Sequence, residues 1–175
     1  MMKFLILLIS SLILCSPTYA HRIVDEINKT RCKELQCEVF ISEKSHRIAY
    51  TTMSNDIIIT KGMLNYLSDN EIRSVLYHEL AHVKLQHSKK LLEEVYKRYP
   101  HNTSKDLKTF RHIQEYSADI TASQMLKEDN KPNKLSQALI KILKLKQSDI
   151  NSDTHPPIKQ RIYVINTWIK LNSKE

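Results

Sequence analysis

The sequence predicts an α+β fold in which a small antiparallel sheet packs at one end of a helix cluster. Three observations carry that expectation. Short runs rich in β-branched and aromatic residues ("CEVFIS", "HRIAYTT", "DIIIT") crowd the first third of the chain. Everything after them has helical periodicity. The length, 175 residues, suffices for one hydrophobic core and not for two ordinary domains.

The first twenty residues stand apart from that domain. After Met1-Met2-Lys3, "FLILLISSLILC" is apolar but too short to span a bilayer, and "SPTYA" brings small residues to Thr18 and Ala20. This is the layout of a secretory signal, with cleavage expected after Ala20 and a single domain at 21–175. Cys15 follows "LIL", yet Leu14 is bulkier than the residue a lipoprotein signal places before its cysteine. Cys32 and Cys37 would then remain. On a continuous helix their Cα atoms lie beyond the roughly 7 Å bridging limit, so a disulfide requires a turn within "KELQ". The alternative is two reduced, half-buried cysteines.

The domain opens on "IVDEINKT", whose apolar spacing predicts a helix from about Asp25 to Lys33. The three strands follow, with "MSND" as the turn between the last two, and "GMLNYL" supplies a helical turn or two. Ser68 and Glu71 have the spacing of a capping box, which starts the next helix at about Asp69. It runs at least to His87 and continues, bent or broken, toward Tyr99. Beyond a loop at 100–104, helices are expected from Ser104 to Glu128, stopped by "DNKP", then from Asn133 to Gln147. After the loop "SDTHPP" the last runs from Pro157 to Leu171.

Composition narrows the function. A single glycine, Gly62, leaves no glycine-rich phosphate loop. The net charge of +8 comes from lysines spread along helices ("KLSQALIKILKLKQ", "SKKLLEEVYKRY"), not from a dense basic block, which argues against nucleic acid. Loose attraction to an anionic membrane surface is the most this charge supports.

The stretch "SVLYHELAHVKLQH" carries the chemistry. His78 and His82 are four apart, so on a helix they share a face and aim both imidazoles at one point. Glu79 projects beside that point. This is H-E-x-x-H, in which two neutral imidazoles hold zinc and the glutamate takes a proton from water. Val75, Leu76, Leu80 and Val83 flank it with apolar surface, and Ala81 leaves room for the metal. His87, nine positions after His78, falls on roughly the opposite side of an unbroken helix and reads as structural. A metzincin pattern would place glycine and a third histidine where Leu85 and Ser88 stand. A catalytic zinc has a third protein ligand, and "RHIQEYSADITA" offers it. Glu115 and Asp119 are four apart among Ile113, Ala118 and Ala122, and buried carboxylates are costly without something to bind. Glu115 completes the site, and Asp119 accepts the outer N–H of a ligating histidine. The competing reading is an exposed acidic pair facing lysines.

"HELAH", then Glu115 in "EYSAD", then "THPPIKQRI", together resemble the peptidase family of the CAAX prenyl proteases and HtpX-type heat-shock proteases, which are gluzincins. The resemblance spans about Ala49 to Ile165. It implies a zincin-like fold; one zinc on His78, His82 and Glu115; Glu79 as general base and acid; Asp119 in support; and His155 and Arg161 lining the site opposite the water. Ala81 replaces the usual glycine, and "MSND" has none, which departs from the family at the substrate-edge strand. With no multi-span membrane part in the sequence, the likeness is to small exported members. Physically, Pro156 and Pro157 stiffen the backbone after His155, and Arg161 lies one turn into the following helix, chemistry suited to a developing oxyanion. The expected function is an exported zinc endopeptidase, periplasmic or extracellular, in peripheral contact with membrane or envelope proteins. It cleaves unfolded or misassembled polypeptides held extended along "HRIAYTT". Two alternatives are a zinc-containing chaperone-like binding module, and a latched precursor whose residues 88–104 cover the cleft with His87 or His101 at the open position. Glu79 argues against the first, since a structural zinc gains nothing from a general base.

Overall fold

A computed structural model describes residues 19–98, 104–146 and 154–173. Its organising element is helix α4, Asp69–Lys84, in which every residue from Glu71 to Ala81 is buried. Such a helix has no solvent face and must be surrounded. It starts where the capping box predicts: the Ser68 backbone N–H and hydroxyl each donate to the Glu71 carboxylate at 2.7 Å. Lys141 donates to the same carboxylate at 2.6 Å, tying the start of α4 to α7, Leu135–Lys146.

Against α4 lie α6, Ser104–Glu128, and α7, and α8, Ile158–Asn172, packs on both α6 and α7. Ala118 and Ala122 are fully buried on α6, and their small side chains let it approach α4 closely. Leu76, Leu80, Met125, Leu126 and Ile165 fill the shared core. Helix α5, His87–Arg98, follows α4 after a break.

At the other end sits the sheet, β1 (Val39–Ser42), β2 (Ala49–Thr51) and β3 (Ile57–Thr60), in the order β1-β3-β2. The α+β, zincin-like arrangement is as expected, but the sheet is mixed. β2 pairs antiparallel with β3 across the expected turn, whereas β1 runs parallel to β3, Val39 opposite Ile57. Residues 43–48 therefore cross over instead of making a hairpin. Thr60 holds that crossover, its hydroxyl donating to the His46 carbonyl and accepting from the Ile48 N–H at 3.1 Å. Gly62, in α3 (Lys61–Leu64), comes so close that a Cβ there would collide with the Ser45 carbonyl.

The first helix is longer than its apolar spacing indicates. It comprises α1, Tyr19–Ile27, a π-helical turn at Asn28–Cys32, and α2, Lys33–Leu35. The π turn aims Asn28 at β1, where its amide donates to the Val39 carbonyl at 3.1 Å and accepts the Val39 N–H at 2.7 Å. Arg73 of α4 clamps Glu26 of α1 with two 2.8 Å bonds. Arg31 does the same for Asp129, which also accepts the Tyr77 hydroxyl. A turn does follow at Gln36, and it brings the free thiols of Cys32 and Cys37 to 2.8 Å.

Among the described residues, four have left-handed backbone: Gln36 (φ 55°), Asn55 (69°), Gln86 (53°) and Asn130 (52°). All are carboxamides. The leader expected at 1–20 falls almost wholly outside the described residues, within which no helix is long and apolar enough to cross a membrane.

Candidate metal centre

Helix α4 brings His78 and His82 together with their Nε2 atoms 3.1 Å apart. Glu115, from the middle of α6, presents carboxylate oxygens 3.5 Å from His78 Nε2 and 3.4 Å from His82 Nε2. Four-coordinate zinc with ligand bonds of roughly 2.0–2.1 Å separates its ligands by about 3.3 Å, so these spacings fit the ion. Glu115 Oε2 adds a second sign. It is buried and without a hydrogen-bond partner among the described residues, although the Arg161 Nη1 cation is 3.0 Å away. A buried oxygen in that state is suited to a metal. Two imidazoles and a carboxylate are also the donor set zinc favours at catalytic sites.

Of the other residues singled out for the site, Asp119, Arg161, His155 and His87 also meet this cluster, and Arg161 and His87 do so differently from expectation. Asp119, fully buried, has Oδ1 3.0 Å from His78 Nδ1. Arg161 arrives from α8, but it is 5% exposed and its guanidinium is engaged by carboxylates: Nε and Nη2 donate to Asp119 at 2.8 and 2.7 Å. With Nη1 beside Glu115, it anchors the two acids and is not a free cation for an oxyanion. His155 is the more exposed partner, its Nε2 3.8 Å from Glu115 Oε1 and its Nδ1 2.7 Å from the Thr154 hydroxyl.

His87 is the second of these. It is not on the far side of the motif helix, because α4 stops at Lys84 and the left-handed Gln86 turns the chain back. The His87 ring lies edge-on to His82, Nδ1 to Nδ1 at 2.9 Å. It thus meets the outer nitrogen of His82, not the ligand side, so it blocks no coordination position; His101 lies outside the described residues.

Glu79 is buried beside His78, and the Thr51 hydroxyl of β2 lies 2.9 Å from its Oε2. Burial raises its pKa above the ordinary carboxylate value. In the metal-free protein burial and Arg161 oppose a charge on His78, but Asp119 and Glu115 outweigh them and push it up to about 10. Burial, then the neighbouring His78 cation, drives His82 down to about 3. The pair therefore favours a single positive charge, on His78, and a bound metal must displace the extra proton. Burial, then Lys90, takes His87 down to about 4, so it is neutral near pH 7.

A cavity of about 380 Å³ opens alongside. His78, Glu79, His155 and Arg161 supply its polar side, while Met63, Val75, Leu135, Leu139, Ile142 and Ile158 supply an apolar one. Apolar walls with a few convergent polar groups are the usual make-up of a ligand site.

Fold and site together give the chain a zincin-like α+β architecture with a His78, His82 and Glu115 cluster able to hold a metal ion. The chain belongs to the Peptidase U49 family, which matches residues 65–175 and so takes in α4, α6 and α8. Peptidase family M48 matches residues 18–99, the sheet and the motif helix, in keeping with the resemblance read from the sequence. An uncharacterized protein of Methanocaldococcus jannaschii, MJ1213, is 39% identical over 62 residues, which are 35% of this chain and 56% of that one. The chain thus spans little more than half the length of that relative.

Proposed function

We propose that this chain is a zinc-dependent endopeptidase of the gluzincin kind, with His78, His82 and Glu115 as ligands and Glu79 as general base. The observation that carries the reading is the ligand triangle, closed by a buried Glu115 oxygen that lacks a hydrogen-bond partner, with Glu79 at the mouth of an apolar cavity. Zinc held there would acidify water and polarise the scissile carbonyl. Glu79, its pKa raised by burial and its Oε2 held by Thr51, accepts the proton of the attacking water and passes it to the leaving amine. Arg161 and Asp119 fix Glu115 and His78, and His155 is the group exposed enough to reach the developing oxyanion.

β2 is an edge strand, and Thr51 within it touches Glu79. A peptide extended along β2 therefore passes the base, with backbone bonds that impose little sequence preference and an apolar side chain entering the cavity. That mode suits unfolded or misassembled polypeptides. The signal-like first twenty residues support export, with the cell envelope as the place of action.

Zinc content and casein cleavage, compared between the purified protein and Glu79→Gln, test the reading. The expected result is one zinc per chain in both and cleavage in the parent protein alone. Zinc in neither would overturn the ligand assignment; equal cleavage by both would overturn the role of Glu79. An exported mature protein beginning at His21 would support the localisation, and retention of Met1 would refute it.

A further inference from the structure

A ligating histidine must present a bare nitrogen to the metal, so its other nitrogen must carry the proton. For His78, Asp119 settles the matter, since an ionised carboxylate only accepts. His82 has no carboxylate at its outer nitrogen. Its partner there is His87, which as a neutral imidazole is able to accept or to donate.

What lies behind His87 removes that freedom. The Ser117 hydroxyl, on α6, is 2.9 Å from the Gln114 backbone carbonyl and 3.2 Å from His87 Nε2. A carbonyl has no proton to give, so with both bonds made the one hydroxyl proton goes to Gln114. Ser117 must therefore accept from His87 Nε2–H. His87 Nδ1 is then bare and accepts from His82 Nδ1–H, which leaves His82 Nε2 bare where His78 Nε2 and Glu115 converge. With every contact in the series a hydrogen bond, each proton has one place. Gln114 holds the arrangement from its other side, its amide donating to the His87 carbonyl at 2.9 Å.

We propose that His87 is a positioning residue for metal binding, fixing the ligating tautomer and the ring orientation of His82 through the series Gln114 carbonyl, Ser117, His87. The proposal rests on His82 being a ligand. It also gives the break at Gln86 a purpose: only a helix that stops at Lys84 and restarts at His87 folds this ring back onto the motif. The two histidines of the motif thereby receive different support, a carboxylate for one and a neutral imidazole for the other.

The test uses the full-length protein and zinc alone. Affinity is measured by competition with a chelator for the parent protein, His87→Leu, His87→Asn and Ser117→Ala, and the imidazole nitrogens of metal-free samples are read by 15N NMR. Loss of such an outer partner typically weakens metal affinity roughly 10- to 100-fold, the result expected for His87→Leu. His87→Asn, whose side-chain oxygen stands near the place of Nδ1, should recover most of that loss. Ser117→Ala should weaken binding less, while its spectrum shows a mixture of His82 tautomers in place of the Nδ1–H form. Equal zinc affinity and an unchanged His82 tautomer in His87→Leu would overturn the proposal. If His87→Leu fails to fold, His87→Asn and Ser117→Ala decide, and parent-like affinity and tautomer in Ser117→Ala would overturn it. A parent protein that binds no zinc would overturn the ligand assignment as well, which separates that failure from the others.

Discussion

Removing the Arg161 guanidinium should be the most damaging single change outside the ligands themselves. Arg161→Met keeps much of the side-chain volume but deprives two buried acids of their cation. Asp119, fully buried, loses bonds of 2.8 and 2.7 Å, and Glu115 loses a charge 3.0 Å away. Hydrogen bonds to charged groups contribute about 1.5–3 kcal/mol each, so the two on Asp119 amount to about 3–6 kcal/mol. Breaking a buried ion pair from one side costs about 3–5 kcal/mol by independent measure. Both routes give about 4 kcal/mol, a large share of the 5–15 kcal/mol by which domains are typically stable. Urea unfolding of the metal-free protein, with chelator present throughout, measures it directly. The double variant with Asp119→Asn should recover at least about 2 kcal/mol relative to the sum of the single changes. A cost below about 1 kcal/mol, or strict additivity, would show that Arg161 does not hold these carboxylates.

Three further outcomes are expected. Gly62→Ala should destabilise by about 3 kcal/mol in the same assay, because the added methyl meets the Ser45 backbone and no flexible side chain can yield. Leu139→Trp, which fills the apolar side of the cavity, should leave zinc content unchanged while slowing cleavage beside large apolar residues about tenfold, as read by mass spectrometry of peptide products. Stability should fall in acid: at Glu71 burial is outweighed by Lys141 and Ser68, at Glu26 Arg73 dominates, and at Asp129 Arg31 and Tyr77 overcome burial, so all three pKa values lie below their ordinary values. The unfolded chain binds more protons between the two sets of values, so this stabilisation is complete above the ordinary carboxylate range and is lost as pH drops through the folded values. A thermal midpoint that does not change between pH 5 and pH 3 would contradict it.

Much of this was legible beforehand because local rules fixed it. The capping box placed the start of α4, four-residue spacing put His78 with His82 and Glu115 with Asp119, and α6 has the expected bounds of Ser104 and Glu128. The direction of β1 was not legible. Three successive strands suggest a meander, and the crossover depends on Thr60 and Gly62 binding the loop 43–48, contacts that no periodicity encodes. His87 was misplaced for a similar reason: without glycine or proline at the break, nothing announced that the helical wheel ends at Lys84. The Arg161 side chain was traced to the right neighbourhood. Which groups it satisfies depends on how α8 packs against α6, a tertiary fact.

The four carboxamides at left-handed positions connect this fold to the nucleic acid that encodes it. Glycine codons begin with two guanines, whereas asparagine and lysine codons begin with two adenines. A coding sequence driven toward adenine and thymine loses glycine first, and this chain retains one. With a single glycine in the chain, these turns are made with asparagine and glutamine. Asparagine is the best substitute because its short amide bonds locally, while glutamine at Gln36 and Gln86 carries more of the roughly 1–2 kcal/mol that left-handed backbone costs an L-residue. One of these glycine-free turns, at Gln86, is what folds His87 onto His82 at the candidate metal centre.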